Sequence, residues 1–297
     1  MVSLPDGVRL ETGEGGLERL VVDTALSEAH VYLLGAHVAH FQPRAQRPVL
    51  FMSDRSSFEV GHPIRGGVPV CFPWFGQKAG SPDLPNHGLV RQRPWALQDV
   101  APRDDGRITA MFTLQPDARV RAPWPHACTI THRICVGADL HMELLVTNTG
   151  RAPFTFEEAL HTYLRVSDVR HVEVHGLEDA PYRDKLDAPG TSRDPGPILV
   201  SEETDRVYEG STATCDVVDR PWARRLRIAK TGSRTTVVWN PWVDKARRMP
   251  DFGDEEWPRM LCVETANAGA DAVTLQPGQT HRMGALVAVE GGPGIGR

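Results

Sequence analysis

The sequence predicts an all-β protein, a β-sandwich of antiparallel sheets with few short helices. Three observations point that way. Several long segments alternate apolar and polar residues with period 2, as strands with one buried face do. These segments are rich in Val, Ile, Thr and aromatic residues. The 27 glycines and 24 prolines punctuate them, as tight turns require. A chain of 297 residues could bury one large β-domain or two smaller ones. No shift in composition marks a linker and no repeat is evident. We therefore read one sandwich domain over 1–290, followed by a Gly-rich tail, 291–297, expected to be flexible.

The elements follow in chain order. Residues 17–42 read as two or three strands: Leu20-Val21-Val22 and His30-Val31-Tyr32-Leu33-Leu34 carry the β-branched and aromatic enrichment, and Gly35 breaks them. Residues 61–95 have a different texture, crowded with Gly, Pro and aromatics, and read as loops of unusual backbone conformation. Binding groups concentrate on such loops. Three alternating strands follow, at 107–114, 128–136 and 139–147. Val172-Glu173-Val174, Arg225 to Ala229 and Thr235 to Trp239 continue the pattern, and two more strands close it at 260–266 and 283–290. The polar, proline-bearing interval 182–206 reads as a long loop carrying charged side chains.

Composition narrows the function. A net charge of −5 argues against a general nucleic-acid binder. Cys71, Cys128, Cys135, Cys215 and Cys262 form no C-x-x-C pair and sit mostly among apolar neighbours, so free buried thiols in a reducing compartment are expected. No basic n-region and apolar stretch opens the chain, and no apolar run reaches the length of a membrane span. A cytoplasmic monomer with no membrane partner is the resulting expectation.

Candidate chemistry begins at His161, in Phe156-Glu157-Glu158-Ala159-Leu160-His161-Thr162-Tyr163-Leu164. Histidine titrates near working pH and is the natural proton carrier, although a core histidine bonded to backbone fits this apolar setting equally well. Arg65 and Arg91 read either as surface arginines packed on their stems or as two guanidinium forks facing one anion, a geometry that suits phosphate. Glu264 lies in an apolar strand, where burial favours a raised pKa and a nearby cation opposes it; pairing with an arginine is its plain structural alternative. Asp205 sits in an acidic run, as solvated carboxylates do. Trp74 and Phe75 fit a sugar-facing wall or core packing. Lys245, Arg247 and Arg248 are left out of the site. His37 and His40 lie on a strand and point to opposite faces, which disfavours a metal site. No P-loop, dinucleotide fingerprint or H-E-x-x-H occurs.

Taken in order, Arg65-Gly66-Gly67-Val68-Pro69, Pro73-Trp74-Phe75-Gly76, Asn86-His87-Gly88, Arg91, Leu160-His161-Thr162-Tyr163, Glu203 to Tyr208, Trp239-Asn240-Pro241-Trp242 and Cys262 to Asn267 resemble the glucose-6-phosphate 1-epimerases (hexose-6-phosphate mutarotases) of the aldose 1-epimerase superfamily. The resemblance runs from about 17 to 290. Each motif is weak alone, and the ordered set is specific. It implies the galactose-mutarotase-like β-supersandwich, a catalytic pair His161 and Glu264, and substrate-binding positions Arg65, Asn86, Arg91 and Asp205, with His87 near the sugar ring. Leu89-Val90 stands where the family often has Phe-Ala, and Asn86 where it often has Gln; both bear on pocket shape. Asp179 to Tyr182 also departs from the pattern.

The implied reaction interconverts α and β anomers of a hexose 6-phosphate. A hemiacetal opens when the 1-hydroxyl loses a proton and the ring oxygen gains one, so a carboxylate and an imidazole suffice, with no cofactor or metal. The pair should come from different strands. A mutarotase of unphosphorylated aldoses and a non-catalytic carbohydrate binder on the same scaffold are the alternatives. A neutral sugar offers two arginines no anion, and an idle binder needs no matched acid and base.

Overall fold

The computed structural model describes residues 2–187 and 190–291. The expected tail lies outside them from 292 on, whereas Gly291 ends the last strand opposite Arg224. The expected all-β architecture holds: the named strands pair antiparallel throughout, and the two α-helices of the described residues are the short Ala118–Arg121 and Trp242–Arg248.

Two large sheets and a smaller one make the frame. The smaller is a four-stranded meander, Val8–Thr12, Glu18–Asp23, Ser27–Tyr32 and His37–Pro43. Residues 17–42 thus hold three strands, and a fourth precedes them that its charged sequence concealed. The eight-stranded sheet runs in spatial order Val172–His175, Cys215–Asp219, Arg224–Thr231, Thr280–Gly291, Leu140–Asn148, Cys128–Val136, Ile108–Leu114, Ala96–Pro102. The seven-stranded sheet runs Arg183–Asp184, Thr204–Tyr208, Thr235–Asn240, Met260–Asn267, Glu158–Leu160, Val70–Cys71, with Tyr163–Arg165 also paired to Met260–Asn267. The interval 182–206 is therefore not one loop. It opens on a short strand and ends on another, which carries Asp205.

Alternation decides which face is buried. Along Cys128–Val136, Ile130, Ile134 and Val136 point inward, with partly exposed residues between them. Each such side chain contributes about 1.5–3 kcal/mol by leaving water. One hydrophobic cluster joins the sheets, from Leu20 through Ile130, Leu164, Leu261 and Val263 to Val287. His132, also on Cys128–Val136, is a fully buried polar residue whose Nδ1 lies 3.1 Å from the carbonyl of Ala36.

Candidate active site

Strand register brings His161 and Glu264 together. Glu158–Leu160 pairs with Met260–Asn267 so that Leu160 lies opposite Thr265. Tyr163–Arg165 pairs with the same strand so that Tyr163 lies opposite Cys262. His161 therefore falls opposite Glu264. Residues directly across an antiparallel pair share a face, and His161 Nε2 sits 3.3 Å from Glu264 Oε1. The next strands extend the same face, with Val237 opposite Glu264, Trp239 opposite Cys262, and Asp205 opposite Trp239. Period 2 then puts His161, Tyr163, Glu264, Trp239 and Asp205 on one side, while Leu160, Leu164, Leu261 and Val263 point into the core.

That face floors a cavity of about 330 Å³, within the size range of small-molecule sites. Arg65, Asn86, His87 and Arg91 line it together with His161, Asp205 and Glu264. All seven residues singled out from the sequence thus face one space, as do Phe75, Tyr163, Lys185, Trp239 and Lys245.

The walls are loops pinned by specific contacts. At Gly67, with φ of 58°, a Cβ would stand 2.2 Å from the Val38 carbonyl oxygen, so no side chain fits where Arg65 turns toward the cavity. Trp74 is buried and donates from Nε1 to the Pro85 carbonyl at 3.0 Å, which makes it a structural brace. Phe75, beside it, faces the cavity and meets His87 edge-on at 4.8 Å. Glu157 accepts from the Phe75 and Gly269 amides at 2.8 and 2.7 Å. Glu158 is fully buried and takes Asn267 Nδ2 at 3.1 Å. The two carboxylates before His161 are therefore scaffold. Asn240 donates to the carbonyls of Trp257 and Met260 and accepts from the Trp242 amide, which turns the chain into Trp242–Arg248.

Electrostatics divide the cavity. Arg65 donates through Nε and Nη2 to Asp251 Oδ2, at 3.2 and 3.0 Å, and through Nη1 to the Tyr163 hydroxyl at 2.9 Å. Two of its five N–H groups remain unused. Arg91 is buried, donates from Nη2 to the Asn86 carbonyl at 2.8 Å, and has no carboxylate partner among the described residues. Burial lowers its pKa from the usual arginine value. Lys185 Nζ lies 3.3 Å from Asp205 Oδ1, and Lys245 Nζ lies 2.8 Å from Glu203 Oε1.

Burial pushes the Glu264 carboxyl well above its ordinary range, against the pull of Lys185 and Arg91. Burial, then Arg91, Arg65 and Lys185, hold the His161 imidazole well below its own. Burial thus disfavours the charged form of each group, and the two shifts run in opposite directions. His161 stacks on Tyr163 with centroids 4.8 Å apart, and His87 meets it edge-on at 5.3 Å. His161 Nδ1 and Glu264 Oε2 are buried without a hydrogen-bond partner. Among the described residues no three His, Cys, Asp or Glu side chains are grouped as metal ligands would be.

The structure answers the sequence alternatives one by one. Arg91 is no surface arginine, Glu264 pairs with histidine rather than arginine, and Asp205 is half-buried on a strand. Lys245 lines the cavity after all. Lys185, Tyr163, Trp239 and Asp251 were missed. Tyr163 and Trp239 stood inside quoted motifs, and the two-residue spacing of Tyr163 from His161 was the available signal. Asp251 is found only through its contact with Arg65.

The cavity opens on one face of an antiparallel β-supersandwich and holds a buried histidine–carboxylate pair, an arrangement that suits the chemistry of a sugar epimerase. The aldose 1-epimerase family model matches residues 18–286; the chain belongs to that family and is an isomerase of the epimerase, or mutarotase, type. A protein of Cenchrus ciliaris provisionally named glucose-6-phosphate 1-epimerase is 35% identical over 277 residues, 90% of this chain and 83% of that one. A Salmonella typhimurium protein with the same provisional name is 34% identical, over 86% of this chain and 84% of its own. The crystal structure of a provisionally described Salmonella typhimurium mutarotase matches with a TM-score of 0.90 at 29% identity, covering 98% and 96% of the two chains. A galactose mutarotase-like protein of Clostridium acetobutylicum shares the fold, with a TM-score of 0.75 at 13% identity over 96% and 98%.

Proposed function

We propose that this epimerase interconverts the α and β anomers of a hexose 6-phosphate, with His161 and Glu264 moving the protons and Arg65 and Arg91 binding the phosphate. The observation that carries the reading is Arg91, a buried guanidinium with no carboxylate partner among the described residues, in the same cavity as the acid–base pair. A buried cation is costly unless an anion meets it. A phosphate supplies that anion, and a guanidinium fork suits its geometry. The provisional names of the relatives support the same substrate class.

The chemistry follows from the pair. In this mechanism the pair starts with one proton on Glu264, which passes to His161 across their 3.3 Å contact. Glu264 then takes the proton of the 1-hydroxyl while His161 gives its own to the ring oxygen. The C1–O5 bond breaks and leaves an open-chain aldehyde. Rotation about C1–C2 presents the other carbonyl face, and closure reverses the two transfers. Protons and electrons balance within the pair and the sugar. Positioned acid–base groups of this kind typically contribute about 10²–10⁴-fold each. Asn86, His87 and Asp205 hydrogen-bond the sugar hydroxyls, and the Phe75 and Trp239 rings bound its apolar faces.

The test is Arg91→Ala. The KM for a hexose 6-phosphate should rise by about 10-fold or more, as loss of a charged hydrogen bond costs, while the KM for the free hexose stays close to wild type. Equal effects on both sugars would contradict the phosphate assignment.

A further inference from the structure

Lys185 sits at the centre of contacts that the acid–base account does not use. It follows the short strand Arg183–Asp184, and its amide donates to the Asp205 carbonyl at 3.0 Å. Its ammonium returns to the same residue, with Nζ 3.3 Å from Asp205 Oδ1. The ammonium also stands 4.8 Å over the centre of the Phe75 ring, within the range of a cation–π contact. Main chain, carboxylate and ring thus fix one cation on the cavity wall that Glu264 also lines.

We infer that Lys185 is a positioning residue with two tasks: it aims the Asp205 carboxylate at the sugar hydroxyls, and its charge keeps Glu264 able to ionise during turnover. The first task follows from the contacts with Asp205, and the second from the cavity that Lys185 shares with Glu264. A carboxylate held by one ammonium on one oxygen keeps its other oxygen free to accept hydrogen bonds. A fixed cation in a water-poor cavity stabilises the carboxylate form of a neighbouring acid. Lys185 and Arg91, which line the same cavity as Glu264, both favour its ionised form, and Asp205 opposes them. Pairing with Lys185 blunts that opposition. The cation therefore acts on the base directly and through Asp205.

The kinetic half of this inference rests on the acid–base reading above; the titration half does not. The experiment uses the whole chain with ¹³C-labelled glutamate, as wild type, Lys185→Met and Lys185→Arg. Methionine keeps a stem over Phe75 without the charge, and arginine keeps the charge. The Glu264 carboxyl resonance, assigned from Glu264→Gln, should titrate about one pH unit higher in Lys185→Met and return toward wild type in Lys185→Arg. The limb of the kcat/KM profile that reports Glu264 should move by the same amount, and the KM for the sugar should rise about 3–10-fold, as one lost hydrogen bond implies. Coincident titrations in wild type and Lys185→Met would overturn the inference, as would equal shifts in Lys185→Met and Lys185→Arg. If wild type accelerates no aldose, the acid–base reading fails, and the titration still decides the coupling of Lys185 to Glu264.

Discussion

The two large sheets use the same device with opposite results. In the eight-stranded sheet Arg133 lies directly across from Glu143, and the two form an ion pair on the solvent side. In the seven-stranded sheet His161 lies across from Glu264 on the cavity side. Both are cross-strand pairs, and both are set by register. They differ in water. The Arg133 and Glu143 side chains are 39% and 11% exposed, whereas those of His161 and Glu264 are 7% and 1% exposed. Strand Cys128–Val136 alternates buried with partly exposed residues, but Met260–Asn267 is buried along its whole length. A solvated pair stays ionised and contributes roughly 0–1 kcal/mol. In a dry pair burial disfavours the charged form of each partner. In the proposed mechanism it is burial on both faces, rather than the pairing itself, that suits this cross-strand position to proton transfer.

The largest expected effect comes from breaking the dry pair. His161→Ala should abolish measurable epimerisation, a loss of about 10²–10⁴-fold for an acid–base group, with an unchanged circular dichroism spectrum. Substantial residual turnover would remove His161 from proton transfer. Glu264→Gln preserves shape and should lose as much; a rate near wild type would end its assignment as the base.

A smaller effect concerns the other buried histidines. Burial, then the Arg91 charge, lower His37 to about 3, and burial lowers His132 to about 4. The unfolded chain binds protons at these residues near the ordinary value of 6.5, so it holds more protons than the folded chain below that pH. Stability should be full above about pH 6.5 and fall steadily as the pH drops toward 4. Urea midpoints across that range would show it, and replacing His132 with Gln should flatten part of the slope. A midpoint independent of pH would contradict the burial of both rings.

The smallest effect is the control on the wet sheet. Arg133→Ala should change stability by less than about 1 kcal/mol and leave the anomerisation rate unchanged. A large kinetic loss would blur the contrast between the sheets.

What could be read from the sequence divides along the same line. Strands with one wet face declared themselves by alternation, and 107–114, 128–136 and 139–147 are recovered within a residue or so. Met260–Asn267 and Thr235–Asn240, buried along their whole length, were legible from their apolar and β-branched runs, whereas elements too short to alternate were not. Glu158–Leu160 and Tyr163–Arg165 were visible only as an apolar stretch around a histidine. Thr204–Tyr208 was absorbed into a loop because its residues are largely polar. The seven candidate residues came from ordered motifs, and all line the cavity. That His161 stands across from Glu264 depends on pairing between segments about a hundred residues apart in the chain, which no local pattern carries. Lys185 and Asp251 escaped for the same reason. Each has its role through a partner distant in sequence, Asp205 for one and Arg65 for the other.

The most direct test of the central claim is anomer exchange measured by NMR on the wild-type protein, with glucose 6-phosphate and glucose in parallel. The account predicts that exchange of the phosphate ester is accelerated far more than that of glucose, because only the ester gives Arg91 its anion. Acceleration of glucose alone, or of neither sugar, would contradict it.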